Sequence, residues 1–449
     1  MKRDSFLKLS SLSLAALVTP SLWEKLLAGT DNKINLRDYF TWDDEQVITL
    51  AENIFDKCIF HKVMPPEGTL KHQWIAPGGG YKGQWIWDTM FVTDLLSIFP
   101  GQKSVMHEVF QNYRDFQIRW NRVKPEYARD MIPCMIEPFN TDKWSEYPAY
   151  SQIPILAWGL EQIYKRNNDV ELIKENLQSI EDFHEWYWRE RDVTNIGMVS
   201  VGSYSGVIQH ARFETYDFDG TLDHLKLTKH PNRNSEAEGA WYGDVLVTGN
   251  TAYLVMAEKC LVRLAKIGGD KEMIIRREAR IHKSEEAVRK YMWDEESGIF
   301  LAVQRDTLEK IKEPSIGCWM PLYAGIPTKA MAKRMASVLG SKGWQTPLTV
   351  PTIPSDDPRY QSGGFWRGDV WPASTYQIVR GLKDYGYDDM AAQIADTLIE
   401  NVLKNGVNER YDSQTGKGLG VDYLGMSCTL VTMMLEGISK KYKLGMKNK

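Results

Sequence analysis

Apolar residues recur three or four positions apart along most of the chain, which is the spacing of one face of an α-helix. The clearest run follows Val170 and consists of Ile173, Leu177, Ile180, Phe183 and Tyr187. Clusters of glycine, proline and asparagine interrupt the pattern and divide it into about twelve predicted helices. These span residues 44–58, 87–99, 103–120, 152–167, 170–190, 248–267, 270–292, 315–324, 328–339, 371–386, 388–404 and 426–441.

The order of the predicted helices indicates a fold class. They form six pairs, joined by short turns on one side and long loops on the other, and strand-like alternation is sparse, as in residues 299–303. An open helical solenoid would also alternate helices, but it would show a repeated sequence period, and we find none. We therefore expect an all-α fold, an (α/α)6 barrel with long active-site loops, formed by residues 35–443 as a single domain.

Two of the long loops contain residues that a simple helical connection does not need. Residues 77–88 (PGGGYKGQWIWD) and 361–372 (QSGGFWRGDVWP) place aromatic and charged side chains between glycines. Loops held on a rigid scaffold are where binding and catalytic residues concentrate. The two segments therefore predict a ligand-facing rim at the loop side of the barrel.

Composition narrows the function classes. The chain has 449 residues, of which 43% are hydrophobic and 25% charged, values that argue against disordered, collagen-like and coiled-coil proteins. Its 55 basic and 59 acidic residues give a formal net charge of −4. Because the basic residues are interleaved with acids, no positive field is available for a phosphate backbone, and we expect no nucleic acid partner. The 16 tryptophans suit stacking on sugar rings as well as core packing.

The cysteines predict no metal or redox centre. The five residues are widely spaced, odd in number and form no C-x-x-C pair. They are Cys58, Cys134, Cys260, Cys318 and Cys428. We expect buried free thiols.

The first 30 residues indicate a targeting segment. Met1, Lys2 and Arg3 precede an apolar run at 9–18, the arrangement of a signal peptide. The segment also resembles a twin-arginine signal whose second arginine is replaced by Asp4. We expect a periplasmic or secreted protein. The alternative is an amphipathic N-terminal helix on a cytoplasmic protein, because no clear cleavage site follows. The run is too short to span a bilayer, and no later apolar stretch is long enough.

Five motifs along the chain carry a family resemblance. They are residues 84–88 (QWIWD), 291–300 (YMWDEESGIF), 321–326 (PLYAGI), 366–372 (WRGDVWP) and 408–416 (NERYDSQTG). In this order they resemble the catalytic domain of glycoside hydrolase family 63 and its mannosylglycerate hydrolase-like and trehalase-like relatives. The resemblance implies an (α/α)6 barrel and an inverting glycosidase that cleaves an α-glycosidic bond. We expect no metal or organic cofactor in such a reaction.

An inverting reaction needs a protonated acid beside the leaving oxygen and an ionised base that activates a water on the opposite face of the sugar. Residues 211–220 (ARFETYDFDG) are similar to the family's acid loop, a Glu-Ser/Thr-Gly-x-Asp stretch. Counting from Glu214, the expected acid position holds Phe218, so the acid is either Asp217 or Asp219. We favour Asp217, because Asp217 and Phe218 form an Asp-Phe pair like the one found in trehalase-like relatives. A turn-capping surface aspartate is the structural alternative.

The resemblance assigns the base to Glu409, which precedes an aromatic residue and an aspartate in a loop closed by glycine. A solvated carboxylate beside Arg410 is the alternative. Asp88 matches the family's aspartate that hydrogen-bonds sugar hydroxyls. The alternative is an acidic residue whose only role is to be stabilised by the N-terminus of its helix. The remaining expected substrate-binding residues are Trp87, Glu214, Trp366, Arg367, Asp369 and Trp371. For Arg367 and Asp369, the alternative to substrate binding is an ion pair with each other that has only a structural role.

Departures from the family pattern restrict the substrate. The family's asparagine after Trp-Pro is Thr375 here, and residues 424–427 lack an expected aromatic. The chain length leaves no room for the β-sandwich of the processing glucosidases. We therefore expect a small oligosaccharide or glycoside, with an α-glucoside favoured.

Two other function classes fit parts of the sequence. Residues 217–221 resemble the D-x-D-G-T motif of haloacid dehalogenase phosphatases, but the preceding residues 208–215 are too polar for the buried strand that this motif requires. A sugar-binding or sugar-isomerising (α/α)6 protein is the second alternative. An epimerase would place histidine acid/base pairs in the rim loops, where the chain offers only His210, His224 and His230 nearby.

Overall fold

The structure is a computed structural model that describes residues 34–123, 128–138, 151–203, 222–229 and 241–447. It divides into two compact units, one from Trp42 to Gly445 and a small one formed by the two chain ends. In the small unit a 3₁₀ turn (Leu36–Asp38) is capped by the Asn35 side chain. The backbone N–H of Lys447 donates to the carbonyl oxygen of Tyr39 at 2.8 Å.

Twelve α-helices lie in the described part of the chain. They are α1 (Glu45–Ile54), α2 (Ile86–Leu96), α3 (Lys103–Val123), α4 (Leu156–Asn167), α5 (Val170–Arg191), α6 (Thr248–Gly268), α7 (Lys271–Ala287), α8 (Met320–Tyr323), α9 (Lys329–Leu339), α10 (Pro372–Asp384), α11 (Asp388–Asn405) and α12 (Thr429–Leu435). Single π-turns extend α1 (Phe55–Ile59) and α7 (Val288–Met292), and 3₁₀ turns precede α8 (Ile316–Trp319) and α12 (Gly425–Cys428).

The even-numbered helices form a closed inner ring. Helix α2 packs on α4, α4 on α6, α6 on α8, α8 on α10 and α10 on α12, and the 3₁₀ turn before α12 packs back on α2. Odd-numbered helices pack outside this ring, α5 on α4 and α6, α7 on α6, and α11 on α10. This alternation is an (α/α)6 barrel and confirms the predicted fold class.

Side-chain patterning explains which helices lie inside. All 11 residues of α2 are buried, as expected of a helix enclosed on every side. The outer helix α11 buries only one face, which includes Ile394, Leu398 and Val402, three or four residues apart. Glycines let inner helices approach closely. A Cβ at Gly381 of α10 would lie 2.7 Å from the backbone nitrogen of Tyr323 in α8.

Most predicted helix boundaries agree with the structure within a few residues, and two differences have clear causes. Helix α4 begins at Leu156, four residues after the predicted start, because a proline at position 154 disfavours helical backbone at the residue before it. Helix α12 ends at Leu435 rather than near residue 441. Gly437 adopts a positive φ of 60°, the left-handed conformation that terminates helices.

The described strands are short, and all but the first and the last cluster at one end of the barrel. They are β1 (Phe40–Trp42), β2 (Val63–Met64), β3 (Trp74–Ile75), β4 (Gln84–Trp85), β5 (Met135–Ile136), β6 (Gly202–Ser203), β7 (Leu227–Lys229), β8 (Trp241–Gly243), β9 (Val245–Leu246), β10 (Trp293–Asp294), β11 (Ile299–Phe300), β12 (Val303–Gln304), β13 (Asp369–Val370), β14 (Asn408–Asp412), β15 (Gly418–Asp422) and β16 (Leu444–Met446). Strands β2 to β15 all lie in connections that lead from an outer helix into the next inner helix.

Several of these strands join neighbouring connections. Strand β4 pairs with β5, β9 with β12, and β13 with β14, and each pair links two connections that enter adjacent inner helices. The turns at the other end, such as 168–169 between α4 and α5 and 269–270 between α6 and α7, are short. The long loops therefore form a continuous belt around the mouth where the inner helices begin.

Two further expectations concern the cysteines and the membrane. All five cysteines are free and buried, as predicted. Within the described ranges, no helix is both long and apolar enough to cross a bilayer.

Candidate active site

Glu409 lies on β14, in the connection that leads into the inner helix α12, and its side chain is almost fully buried. The Tyr81 hydroxyl donates to Oε1 at 3.1 Å, and the backbone N–H of Val421 donates to Oε2 at 2.9 Å. Gly420 provides the space for this carboxylate, since a Cβ there would collide with Oε2, and its φ of 76° favours glycine. The Glu409 carboxylate is therefore oriented through both of its oxygens.

The sequence analysis did not predict Tyr81 as a site residue. Its position between glycines 78–80 and Gly83, in a loop expected to face the ligand, could have indicated it. Its loop packs on the connection that follows Glu409, where the backbone N–H of Gly425 donates to the carbonyl oxygen of Pro77 at 2.8 Å. Burial raises the pKa of the Tyr81 phenol well above its ordinary value, and the charge of Glu409 raises it further. The phenol therefore stays protonated and remains a hydrogen-bond donor near neutral pH.

Trp87 and Asp88 lie in the first turn of α2, and both are buried. Gln152 accepts a hydrogen bond from the backbone N–H of Trp87 at 2.9 Å. The centroid of the Trp87 ring lies 6.1 Å from that of Tyr253 in the inner helix α6. The carboxylate of Asp88, like that of Glu409, acts electrostatically on Tyr81. Trp87, Asp88, Tyr81 and Glu409 thus belong to one cluster at the mouth.

Asp369 is completely buried on β13. Its Oδ1 accepts from the Thr352 hydroxyl at 2.8 Å, and its Oδ2 accepts from Arg410 Nη1 at 3.2 Å and from the backbone N–H of Trp366 at 3.3 Å. Burial raises the pKa of the Asp369 carboxyl to about 7, although Arg410 and Thr352 act in the opposite direction. The alternative that paired Asp369 with Arg367 is wrong, because the antiparallel pairing of β13 and β14 brings Arg410 to this carboxylate instead.

Trp366 and Trp371 stack on each other beside Asp369, with ring centroids 4.3 Å apart and planes inclined by 8°. Both are almost fully buried, whereas the ring of Phe365 is 50% exposed and packs edge-on against Trp371. Trp366 has a φ of 54°, a left-handed conformation that costs a bulky residue on the order of 1–3 kcal/mol. Such strain is commonly found where a loop is held for function.

Arg367 donates from Nη2 to Asp223 Oδ1 at 2.8 Å. It therefore joins the loop before α10 to the segment just after the predicted acid. Glu214, Asp217 and Asp219 lie outside the described residues. The chain on either side of them is described, since β6 and β7 pair with opposite edges of the central strand β8.

The connections that carry the predicted acid and base enter opposite sides of the ring. The segment 204–221 belongs to the connection into α6, and Glu409 belongs to the connection into α12. Three steps separate α6 from α12 in a closed ring of six inner helices. With about 8–10 Å between neighbouring helix axes, opposite axes lie about 16–20 Å apart.

One group of potential metal ligands occurs in the described part of the chain, formed by His107, Asp169 and Glu171. His107 contacts Asp169 at 2.9 Å through one ring nitrogen and Glu175 at 3.0 Å through the other. Asp169 also caps the N-terminus of α5. These contacts describe a cluster of ion pairs at the barrel end with short turns, separate from the mouth.

Comparison with known proteins identifies the family. Residues 81–427 match the family described as the mannosylglycerate hydrolase MGH1-like glycoside hydrolase domain. The chain is 22% identical over 419 residues to a mannosylglycerate hydrolase of Thermus thermophilus, covering 78% of this chain and 94% of that one. It is 19% identical over 386 residues to a periplasmic trehalase of Salmonella choleraesuis, covering 78% of this chain and 64% of the trehalase.

Solved structures share the fold. The family 63 mannosylglycerate hydrolase from Thermus thermophilus, in complex with glucose, superposes with a TM-score of 0.64 at 18% identity, covering 85% of this chain and 98% of that one. The neutral trehalase of Saccharomyces cerevisiae gives a TM-score of 0.56 at 16% identity, covering 80% and 73%. The chain therefore belongs to the mannosylglycerate hydrolase MGH1-like family, has a catalytic domain like that of glycoside hydrolase family 63, and is a glycosidase.

Proposed function

We propose that this glycosidase hydrolyses the α-glycosidic bond of a small glycoside with inversion at the anomeric carbon. Glu409 is the general base, and Asp217 is the general acid, with Asp219 as the other candidate. The observation that carries the proposal is the placement of Glu409. It is a buried carboxylate held through both oxygens, and it lies across the ring from the connection that contains both aspartates.

The placement suits the chemistry of inversion. A span of about 16–20 Å between opposite axes leaves room for a sugar ring and a water once side chains extend inward from both sides. An inverting pair of carboxyl groups lies about 6.5–9.5 Å apart, whereas a pair that works through a covalent intermediate lies about 5–5.5 Å apart. The base takes a proton from the water as it attacks the anomeric carbon, and the acid protonates the departing oxygen on the opposite face.

The glycone subsite consists of the predicted substrate-binding residues. They are Trp87, Asp88, Glu214, Trp366, Arg367, Asp369 and Trp371. Asp88 and Tyr81 place hydrogen-bonding groups beside Glu409, where hydroxyls next to the anomeric carbon would lie. Asp369 and its neighbours Arg410 and Thr352 supply a second buried polar group in the adjacent loop. The exposed ring of Phe365 lies at the outer edge of this loop.

The substrate class follows from the site and the relatives together. Carboxylates and tryptophan rings in the same loops suit a pyranose. The relatives are named for mannosylglycerate and trehalose, two small α-linked hexosides. We propose a small α-hexoside as the substrate, with an α-glucoside first and an α-mannoside second.

A hydrolysis screen tests this function. The purified protein is incubated with trehalose, nigerose, kojibiose, glucosylglycerate, mannosylglycerate and aryl α-glucosides and α-mannosides, and free hexose is measured. We expect hexose release from at least one of them, and none from the Glu409→Gln variant purified in parallel, which controls for contaminating glycosidases. Binding of these compounds without release of hexose would instead support a sugar-binding protein.

We also propose that residues 1–30 direct export and that residues 35–443 form one catalytic domain. Periplasmic trehalases among the relatives are consistent with export. N-terminal sequencing of the protein recovered from fractions of the native host is the measurement. We expect a shortened N-terminus outside the cytoplasmic membrane. A cytosolic protein that begins at Met1 or Lys2 would contradict export.

A further inference from the structure

The turn at residues 222–224, which directly follows the segment with the candidate acids, is held by one carboxylate. Glu313 Oε2 accepts the backbone N–H of Asp223 at 2.7 Å and that of His224 at 3.4 Å. Its Oε1 also contacts Nδ1 of His224. Two backbone amides and an imidazole thus converge on a single side chain, which comes from the distant connection into α8.

Glu313 is itself fixed from behind. Arg359 lies 3.5 Å from Glu313 Oε2 and donates to the carbonyl oxygen of Pro314 at 3.0 Å. The Arg359 guanidinium also binds both oxygens of Asp357, at 2.9 and 2.8 Å. Burial opposes ionisation of Asp357, but the hydrogen bonds from Arg359 outweigh it and hold the pKa of that carboxyl below its ordinary value. Bidentate pairs of this kind fix geometry as well as charge.

Apolar packing and a second ion pair complete the attachment. Leu222 and Leu225, on either side of the turn, belong to a buried cluster that includes Ile311, two residues before Glu313. The carboxylate of Asp223 meets Arg367 of the loop before α10. Asp223 is half exposed, so this pair adds little to stability. Its consequence is positional, because it links the acid segment to the proposed glycone loop.

We propose that Glu313 is a positioning residue that sets where the general acid lies relative to the bound sugar. The inference rests on the proposed function. Glu313 holds the backbone N–H of Asp223 and therefore fixes the chain four residues after Asp219 and six residues after Asp217. Misplacement of a catalytic group by about 1 Å can cost on the order of a hundredfold in rate.

The first test measures amide hydrogen exchange in the peptide that covers residues 222–229. We compare the wild type with Glu313→Ala and with Glu313→Gln, which keeps the side-chain volume if the alanine variant folds poorly. Glu309→Ala is the matched control, because Glu309 is an exposed residue of the same connection. We expect faster exchange in the Glu313 variants alone. Unchanged exchange would overturn the proposal even if the wild type proved inactive on every glycoside tested.

The second test separates positioning of the acid from general damage. Each variant is assayed on a phenyl α-glycoside, whose leaving group needs a proton, and on the matching α-glycosyl fluoride, whose leaving group does not. We expect kcat on the phenyl glycoside to fall roughly tenfold or more, while kcat on the fluoride stays within about threefold. Equal losses on both substrates, or no loss on either, would exclude a positioning role. A wild type inactive on both would contradict the proposed function instead.

Discussion

Replacing Glu409 with glutamine is expected to lower kcat about a hundredfold or more on every substrate, including glycosyl fluorides. Glutamine keeps the shape of the side chain and can still accept from Tyr81, but it cannot take a proton from water. Because a fluoride also needs an activated water, its hydrolysis falls as well. Steady-state rates on the best substrate from the screen and on the matching fluoride measure the effect, and circular dichroism shows that the fold is retained.

The matched control for this substitution is Glu272→Gln. Glu272 lies on the outer helix α7 with its side chain 91% exposed, so its variant should retain wild-type kcat. Glu409→Gln with near-normal activity would remove Glu409 from catalysis. The buried carboxylate would then have only a structural role between Tyr81 and Val421.

Asp217→Asn is expected to lower kcat on poor leaving groups by a factor of roughly a hundred or more while sparing glycosyl fluorides. The asparagine conserves volume but cannot protonate the departing oxygen, which fluoride does not need. The contrast with Glu409→Gln separates acid from base, because loss of the base affects both classes of substrate. Rates on phenyl glycosides and fluorides measure it for both variants.

Asp219→Asn is the internal control for the acid. If Asp219→Asn is the crippling change and Asp217→Asn is mild, the alignment of the acid loop is displaced by two residues and Asp219 is the acid. Near-normal rates in both variants would exclude residues 211–220 from proton transfer altogether. That result would also contradict the proposal that Glu313 and Arg367 position a catalytic acid.

The helices of this protein could be predicted from its sequence because their breaks are local. Asn168 ends α4 and Gly269 ends α6 where the sequence predicted a break, whereas Gly437, which ends α12, was missed. The all-buried pattern of α2 and the one-sided pattern of α11 also distinguish inner from outer helices. The six helix pairs could therefore be predicted before any contact was known, whereas the assignment of inner and outer helices comes from the structure.

Most of the belt of short strands could not be predicted, because strands of two or three residues have no period to detect. The alternation at residues 299–303, where β11 lies, is an exception. The same belt determines the partners within the site. Arg367 is two positions from Asp369 in sequence, yet strand pairing brings Arg410, 41 residues away, to that carboxylate. Tyr81 reaches Glu409 across 328 residues because its loop packs on the connection into α12, where the backbone N–H of Gly425 donates to Pro77. The motifs select the loops of the proposed site, and tertiary pairing decides which of their side chains meet.

The central claim, inversion by two carboxyl groups on opposite sides of the barrel mouth, is tested most directly by proton NMR of the first product. The enzyme is mixed at high concentration with the best α-glycoside from the screen, and the anomeric protons are followed before mutarotation equilibrates them. The account predicts that the β-anomer appears first. Initial formation of the α-anomer, or a trapped glycosyl–enzyme ester, would show that a carboxylate acts as a nucleophile and would contradict the account.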